Sequence, residues 1–136
     1  MKYLKTFENS EELEFGVTPE DIKYLFTDIS DNGWKVDVRF LRKLFDFKHT
    51  DKPILKFGLI PYIEVVVTKD WDRFEVSQWK AKQYLNELMN SEEYLEIIDV
   101  AYHRLSDMNF FIQNQYIENK QIHILIYRKT DQNYIK

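Results

Sequence analysis

Residues 18–40 carry two hydrophobic periods in immediate succession, and that switch restricts the fold more than any other feature of the chain. In TPEDIKYLFTDIS, Ile22, Leu25, Phe26 and Ile29 recur at i, i+3, i+4 and i+7 and form the apolar stripe of a helix. Thr18 can accept from the free amides of the first turn, and Pro19 loses nothing at the first helical position. Glu20 and Asp21 favour the positive end of the helix dipole. Asn32-Gly33 ends the helix, because glycine takes the left-handed cap without a Cβ clash. The period then drops to two: Trp34, Val36, Val38 and Phe40 alternate with Lys35, Asp37 and Arg39, the signature of a half-buried strand.

The rest of the chain offers the same two kinds of element. Leu41 to Pro61 is mixed, with Lys52-Pro53 and Gly58 breaking it, and reads as a strand end followed by a long irregular connection. Tyr62 to Lys69 places Ile63, Val65 and Val67 on one face of a second strand, expected to pair antiparallel with the first. Ser77 offers an N-cap for a helix ending near Asn90, with Ala81, Tyr84, Leu85 and Leu88 as its stripe. Gln121 to Arg128 is a strand carrying Ile122, Ile124 and Ile126, and Phe110 to Ile117 is its expected hairpin partner, turning at Glu118-Asn119-Lys120.

Tyr94 to Leu105 fits two patterns: Ile98, Val100 and Tyr102 alternate as in a strand, whereas Leu95, Ile98, Tyr102 and Leu105 align as in a helix. An internal echo favours strand. Thr18 corresponds to Ser77, and Ile63, Val65, Val67 and Lys69 correspond at the same offset to Ile122, Ile124, Ile126 and Arg128. With one extra residue, Trp34, Val38 and Phe40 fall on Tyr94, Ile98 and Val100, with Val36 facing Glu96 as a mismatch. The expectation is an α+β single domain, 1–136, of two helix–strand–strand units forming a mainly antiparallel sheet with two helices on one face. Residues 1–17 are an N-terminal segment, 18–69 the first unit, 75–128 the second and 129–136 a tail.

Composition narrows the function classes. The chain has 136 residues, 44% of them hydrophobic and 31% charged, enough to bury a core without staples. There are no cysteines, which removes disulfides, thiolate metal sites and cysteine nucleophiles. Lys5, Glu8 and Glu11 interrupt any signal-peptide h-region, and no apolar run has membrane-spanning length, so a soluble, cytoplasmic protein without membrane contact is expected. A formal net charge of -4 disfavours nonspecific attachment to phosphate backbones. Aromatic residues reach 16%, a composition at home in a Phe/Tyr-rich core and also enriched at interfaces.

No motif specifies catalysis. Only three glycines occur and none are clustered, so no phosphate-cradling loop exists. His103 and His123, with Asp99 nearby, would be two ligands of a metal if their strands met, but nothing enforces a third, and solvent-side histidines are the simpler reading. His49 with Asp46 and Asp51, and Asp70 with Asp72 and Glu75, read first as polar surface; the latter trio lacks the glycine turn and closing carboxylate of a calcium loop. Neither a catalytic residue, a cofactor nor a metal is assigned. Lys35, Arg39, Arg42 and Lys43, joined by Lys48, Lys52 and Lys56, form the best nucleic-acid patch, although Asp37 interrupts it. Trp71, Phe74 and Tyr127 are the candidate interaction aromatics.

The start MKYLKTFE, Met1 to Glu8, followed by an acidic stretch and a helix running into DNGWKVDV, with the likeness resting there on Asp28 to Val38, resembles small accessory proteins of large tailed, T-even-like bacteriophages. The resemblance implies a protein acting in an infected cell or within a virion and carries over no functional residues. Short N-termini of this kind also resemble capsid-targeting peptides cleaved after a glutamate, though Phe7-Glu8 lacks the small residue and spacing of such sites. Tyr3, Leu4, Phe7, Leu13 and Phe15 suffice for a short element docked on the domain. The expected function is non-enzymatic binding to a host or phage protein, or to a second copy of the chain. The alternatives are a nucleic-acid module on the basic sheet face and an internal virion component.

Overall fold

The computed structural model describes residues 15–46, 57–71 and 76–134. Among these, two short helices, α1 (Pro19–Tyr24) and α2 (Thr27–Asp31), lead into strands β1 (Lys35–Asp46) and β2 (Phe57–Thr68). Helices α3 (Gln78–Met89) and α4 (Glu92–Asp107) follow, then β3 (Phe110–Glu118), β4 (Gln121–Arg128) and a closing 3-10 turn, Lys129–Tyr134. The four strands form one antiparallel sheet in the order β1-β2-β4-β3. The α+β class and the helix–strand–strand order therefore hold.

One sheet face is the core. Val36, Val38 and Phe40 of β1 sit opposite Val67, Val65 and Ile63 of β2, which sit opposite Ile122, Ile124 and Ile126 of β4. All six residues from the two central strands are fully buried. The side-chain period of two puts every one of them on the same face, and the helices cover it with Ile22, Phe26, Ile29, Ala81, Leu85, Tyr94, Ala101 and Leu105. Phe15 joins this core, its ring 4.5 Å from that of Phe40 and 6.4 Å from that of Phe110. The remaining N-terminal residues, 1–14, lie outside the described residues.

The first helix is interrupted. Thr18 caps α1 as expected: its hydroxyl accepts from the Asp21 amide and the Asp21 carboxylate accepts from the Thr18 amide. At Phe26 the backbone leaves helical geometry (φ -113°, ψ 17°), and the Thr27 hydroxyl donates to the Tyr24 carbonyl. Such a side-chain bond offers the backbone an alternative to continued helix. The break still delivers Ile22, Phe26 and Ile29 to the core. Gly33, at φ 91°, then turns the chain into β1.

The largest correction concerns Tyr94 to Leu105, which is helix α4 and not a strand. Ser91 caps it by accepting from the Tyr94 amide, and Glu92 and Glu93 occupy the first turn. The buried set is Tyr94, Ile97, Ala101 and Leu105, at helical spacing, while Val100 and Tyr102 of the alternating set are about half exposed. The correspondence of Tyr94, Ile98 and Val100 with Trp34, Val38 and Phe40 therefore fails. The sheet face carries helices α1 to α4 instead of the two expected.

β1 and β2 are also longer than the sequence suggested, pairing without interruption from Lys35↔Thr68 to Asp46↔Phe57. Gly58 and Pro61 lie inside β2. Pro61 is tolerated because β2 pairs with β4 only from Tyr62 onward, which leaves it on a locally open edge. The β3–β4 hairpin turns at Asn119 and Lys120, with φ of 52° and 61°, the two positive values that a tight type I′ turn demands. Lys120 adopts this conformation without being glycine or asparagine, and several contacts hold it there. Its carbonyl accepts from the Trp71 indole (2.7 Å) and its ammonium donates to the Val76 carbonyl (2.9 Å).

Candidate functional site

The segment after β2 and the first crossover helix leave a hollow against the core. Trp34 precedes β1 and Lys69 follows β2, so the terminal pair Lys35↔Thr68 brings them side by side, with the Lys69 ammonium 4.5 Å from the centroid of the Trp34 ring. Trp71, two residues on, is fixed by its indole bond to Lys120 and stands edge-on to Trp34 at 5.9 Å. Tyr84 of α3 stacks on Trp71 at 6.3 Å and an interplanar angle of 20°. These three rings wall a cavity of about 840 Å³, closed by Ile29 of α2 and Asn32 at its C-terminal cap, Leu88 of α3, and Tyr94 and Ile97 of α4.

Its charged groups are sorted by sign. Lys69 and Lys80 lie toward the start of α3, Glu87 and Glu93 toward the α3–α4 corner. Asn32 donates to the Glu93 carboxylate at 2.7 Å and to the Asp28 carbonyl at 2.9 Å, joining α2 to α4 across the floor. Tyr94 closes the bottom: its hydroxyl donates to Gln115 of β3 at 2.7 Å, and burial raises its pKa well above the usual phenol value, so it stays neutral. A hollow of this size that combines aromatic and aliphatic walls with several polar and charged groups can receive a ligand or an anchor side chain.

The opposite sheet face is a second aromatic assembly. Tyr62 and Tyr127 stack at 5.3 Å, Phe111 approaches Tyr127 at 6.3 Å, and Ile60 and Leu125 complete the cluster. Burial, helped by Tyr62 and Tyr116, pushes the Tyr127 pKa up to about 12. Burial and the nearby Glu64 carboxylate also raise Tyr62 and Tyr116. His123 stacks on Tyr116 at 5.0 Å. Its Nε2 lies 3.2 Å from the Glu118 carbonyl, while Nδ1 is 3.4 Å from Glu64 Oε1 without an aligned hydrogen bond.

The structure rearranges the candidates read from the sequence. Lys35, Arg39 and Lys43 share the face opposite the core, with Asp37 among them and Glu64 paired across from Arg39. Arg42 belongs to the alternate set, so the four basic residues do not form one surface. Lys48, Lys52 and Lys56 lie outside the described residues, as do His49, Asp51, Asp72, Phe74 and Glu75. Trp71 and Tyr127 are buried, and only Trp71 reaches the cavity. His103, on α4, sits 3.5 Å from Asp99 one turn earlier, whereas His123 is in the sheet, so the pair does not meet. Among the described residues no three His, Asp or Glu side chains converge.

The sequence reading placed Tyr84 in the core stripe of its helix, but it is half exposed. Nothing in the sequence marked Asn32, Lys69, Lys80, Glu87 and Glu93 as parts of one site, because the cavity draws on segments scattered between residues 29 and 97. No helix among the described residues is long and apolar enough to cross a membrane. No protein-family model, curated protein or solved structure matches the chain.

Proposed function

We propose that this is a non-enzymatic binding protein that engages a protein partner by receiving one of the partner's apolar side chains in the cavity beside α3. The observation that carries the reading is the wall of Trp34, Trp71 and Tyr84 around about 840 Å³, with Tyr84 half exposed at its mouth. Interface energy concentrates where an anchor side chain fills an aromatic-lined pocket and excludes water. Two of the cavity's four charged side chains already have positioning contacts, Lys69 on the Trp34 ring and Glu93 with Asn32. The resemblance of the N-terminus to phage accessory proteins makes a host or phage protein, in cytoplasm or virion, the partner to seek.

Replacing Tyr84, and separately Tyr24 and Tyr102, with a photoreactive phenylalanine tests this in the cells that make the protein. All three side chains are exposed by about half or more. The expected result is a protein adduct of defined mass at position 84 alone, lost when Trp34→Ala is added. Equal adducts at all three positions, or adducts indifferent to Trp34, would overturn the reading.

A further inference from the structure

The cavity is electrically polarised along α3. Lys80, Tyr84 and Glu87 lie on the side of that helix that lines it, and the seven positions from Lys80 to Glu87 span about 10 Å of helix axis. Lys69 stands at the Lys80 end, beside Trp71, whose carbonyl lies 3.5 Å from the Val76 amide at the approach to α3. Glu93 stands at the other end, past the corner formed by Asn90 and Ser91. Of the four charges, Lys80 and Glu87 have neither an ion-pair nor a side-chain hydrogen-bond partner among the described residues. Among the described residues the mouth therefore offers a cation without an ionic partner and an anion without one, on either side of the Tyr84 ring.

Resting on the reading of the cavity as an anchor site, we infer that its occupant is an extended protein segment with an acidic and a basic residue about three positions apart and an apolar anchor between them. An extended chain advances about 3.3 Å per residue, so three positions match the separation of Lys80 and Glu87. An occupant with two like charges would pair one end of the mouth and be repelled by the other, which is how charge placement selects partners.

Four acetylated, amidated hexapeptides of the form Ala-X-Ala-Trp-Z-Ala test it, with X and Z as Asp and Lys, Asp and Asp, Lys and Lys, or Ser and Ser. Binding is followed by calorimetry on the whole chain and on the variants Lys80→Glu and Glu87→Lys, both at exposed positions where folding is checked by circular dichroism. The unaltered protein should bind the Asp/Lys peptide about threefold tighter than the Ser/Ser peptide, the scale of an exposed ion pair. Lys80→Glu should make the Lys/Lys peptide the tightest, and Glu87→Lys the Asp/Asp peptide. A ranking that is the same in all three proteins overturns the charge inference. If the Ser/Ser peptide still binds in that case and is lost with Tyr84→Ala, the cavity reading stands alone. Binding of no peptide overturns both.

Discussion

The two helices of the crossover between β2 and β3 are neighbours in sequence yet are built differently. α4 buries Tyr94, Ile97, Ala101 and Leu105, starts with Ser91 and two acidic residues, and has Arg104 in its last turn. Every one of those features favours the helix and its seat on the sheet. α3 has a serine cap but no acidic residue in its first turn and no basic residue in its last, and it buries only Ala81 and Leu85. Tyr84, which a core-facing helix would bury, stands half exposed on the cavity, and Leu88 is only partly buried, packing on the core with one side and lining the cavity with the other. α4 thus completes the core, while α3 seats Ala81 and Leu85 on it and gives its other residues to the cavity wall.

The sharpest break of this contrast would come from truncating one leucine in each helix. Leu105→Ala empties a fully buried site and is expected to cost about 3 kcal/mol, whereas Leu88→Ala, at a partly buried position shared between core and cavity, should cost only about 1 to 1.5 kcal/mol. Urea unfolding measures both, and equal losses would mean that α3 is as much a part of the core as α4.

The next effect is at the base of the cavity. Tyr94→Phe removes the hydroxyl bond to Gln115 and should cost about 1 kcal/mol at neutral pH. It should also flatten the alkaline limb of stability. An unfolded tyrosine loses its proton near pH 10, while burial raises Tyr94 above that and Tyr127 to about 12. Above about pH 10 the native state keeps protons that the unfolded state has released, so stability is full below that pH and falls as pH rises through the folded values. Unfolding midpoints between pH 8 and 11 should drop less in Tyr94→Phe than in the unaltered protein. An unchanged slope would show that the hydroxyl is not buried as described.

The smallest expected effect is the most telling for function. Tyr84→Ala should change stability by no more than about 0.5 kcal/mol, since half its surface already faces solvent. A large loss would return Tyr84 to the core role that its place in the helical stripe first suggested.

How much was legible follows from how local each cause is. The caps at Thr18 and Ser77, the stop at Gly33 and the hairpin at Asn119-Lys120 depend on a few adjacent residues, and all are present. The central strands announced themselves because Ile63, Val65, Val67, Ile122, Ile124 and Ile126 share one buried face. α4 was misread because it carries apolar side chains off its buried stripe. Exposed Leu95, Val100 and Tyr102 blur the helical pattern and mimic alternation, although Ser91-Glu92-Glu93 was a start signal. The break at Thr27 turns on one hydroxyl choosing a carbonyl, which no period records. The cavity was invisible because chain pairing, not spacing, brings Trp34 to Lys69 and Asn32 to Glu93.

The three tryptophans provide the most direct test of the central claim, because Trp34 and Trp71 wall the cavity while Trp79 is exposed outside it. Each indole N–H gives its own resonance in a nitrogen–proton correlation spectrum of the labelled protein. On titration with the Trp-centred hexapeptide flanked by Asp and Lys, the Trp34 and Trp71 signals should shift together and saturate while that of Trp79 stays in place. Shifts confined to Trp79, or to backbone amides of the Tyr62 and Tyr127 face, would contradict the account.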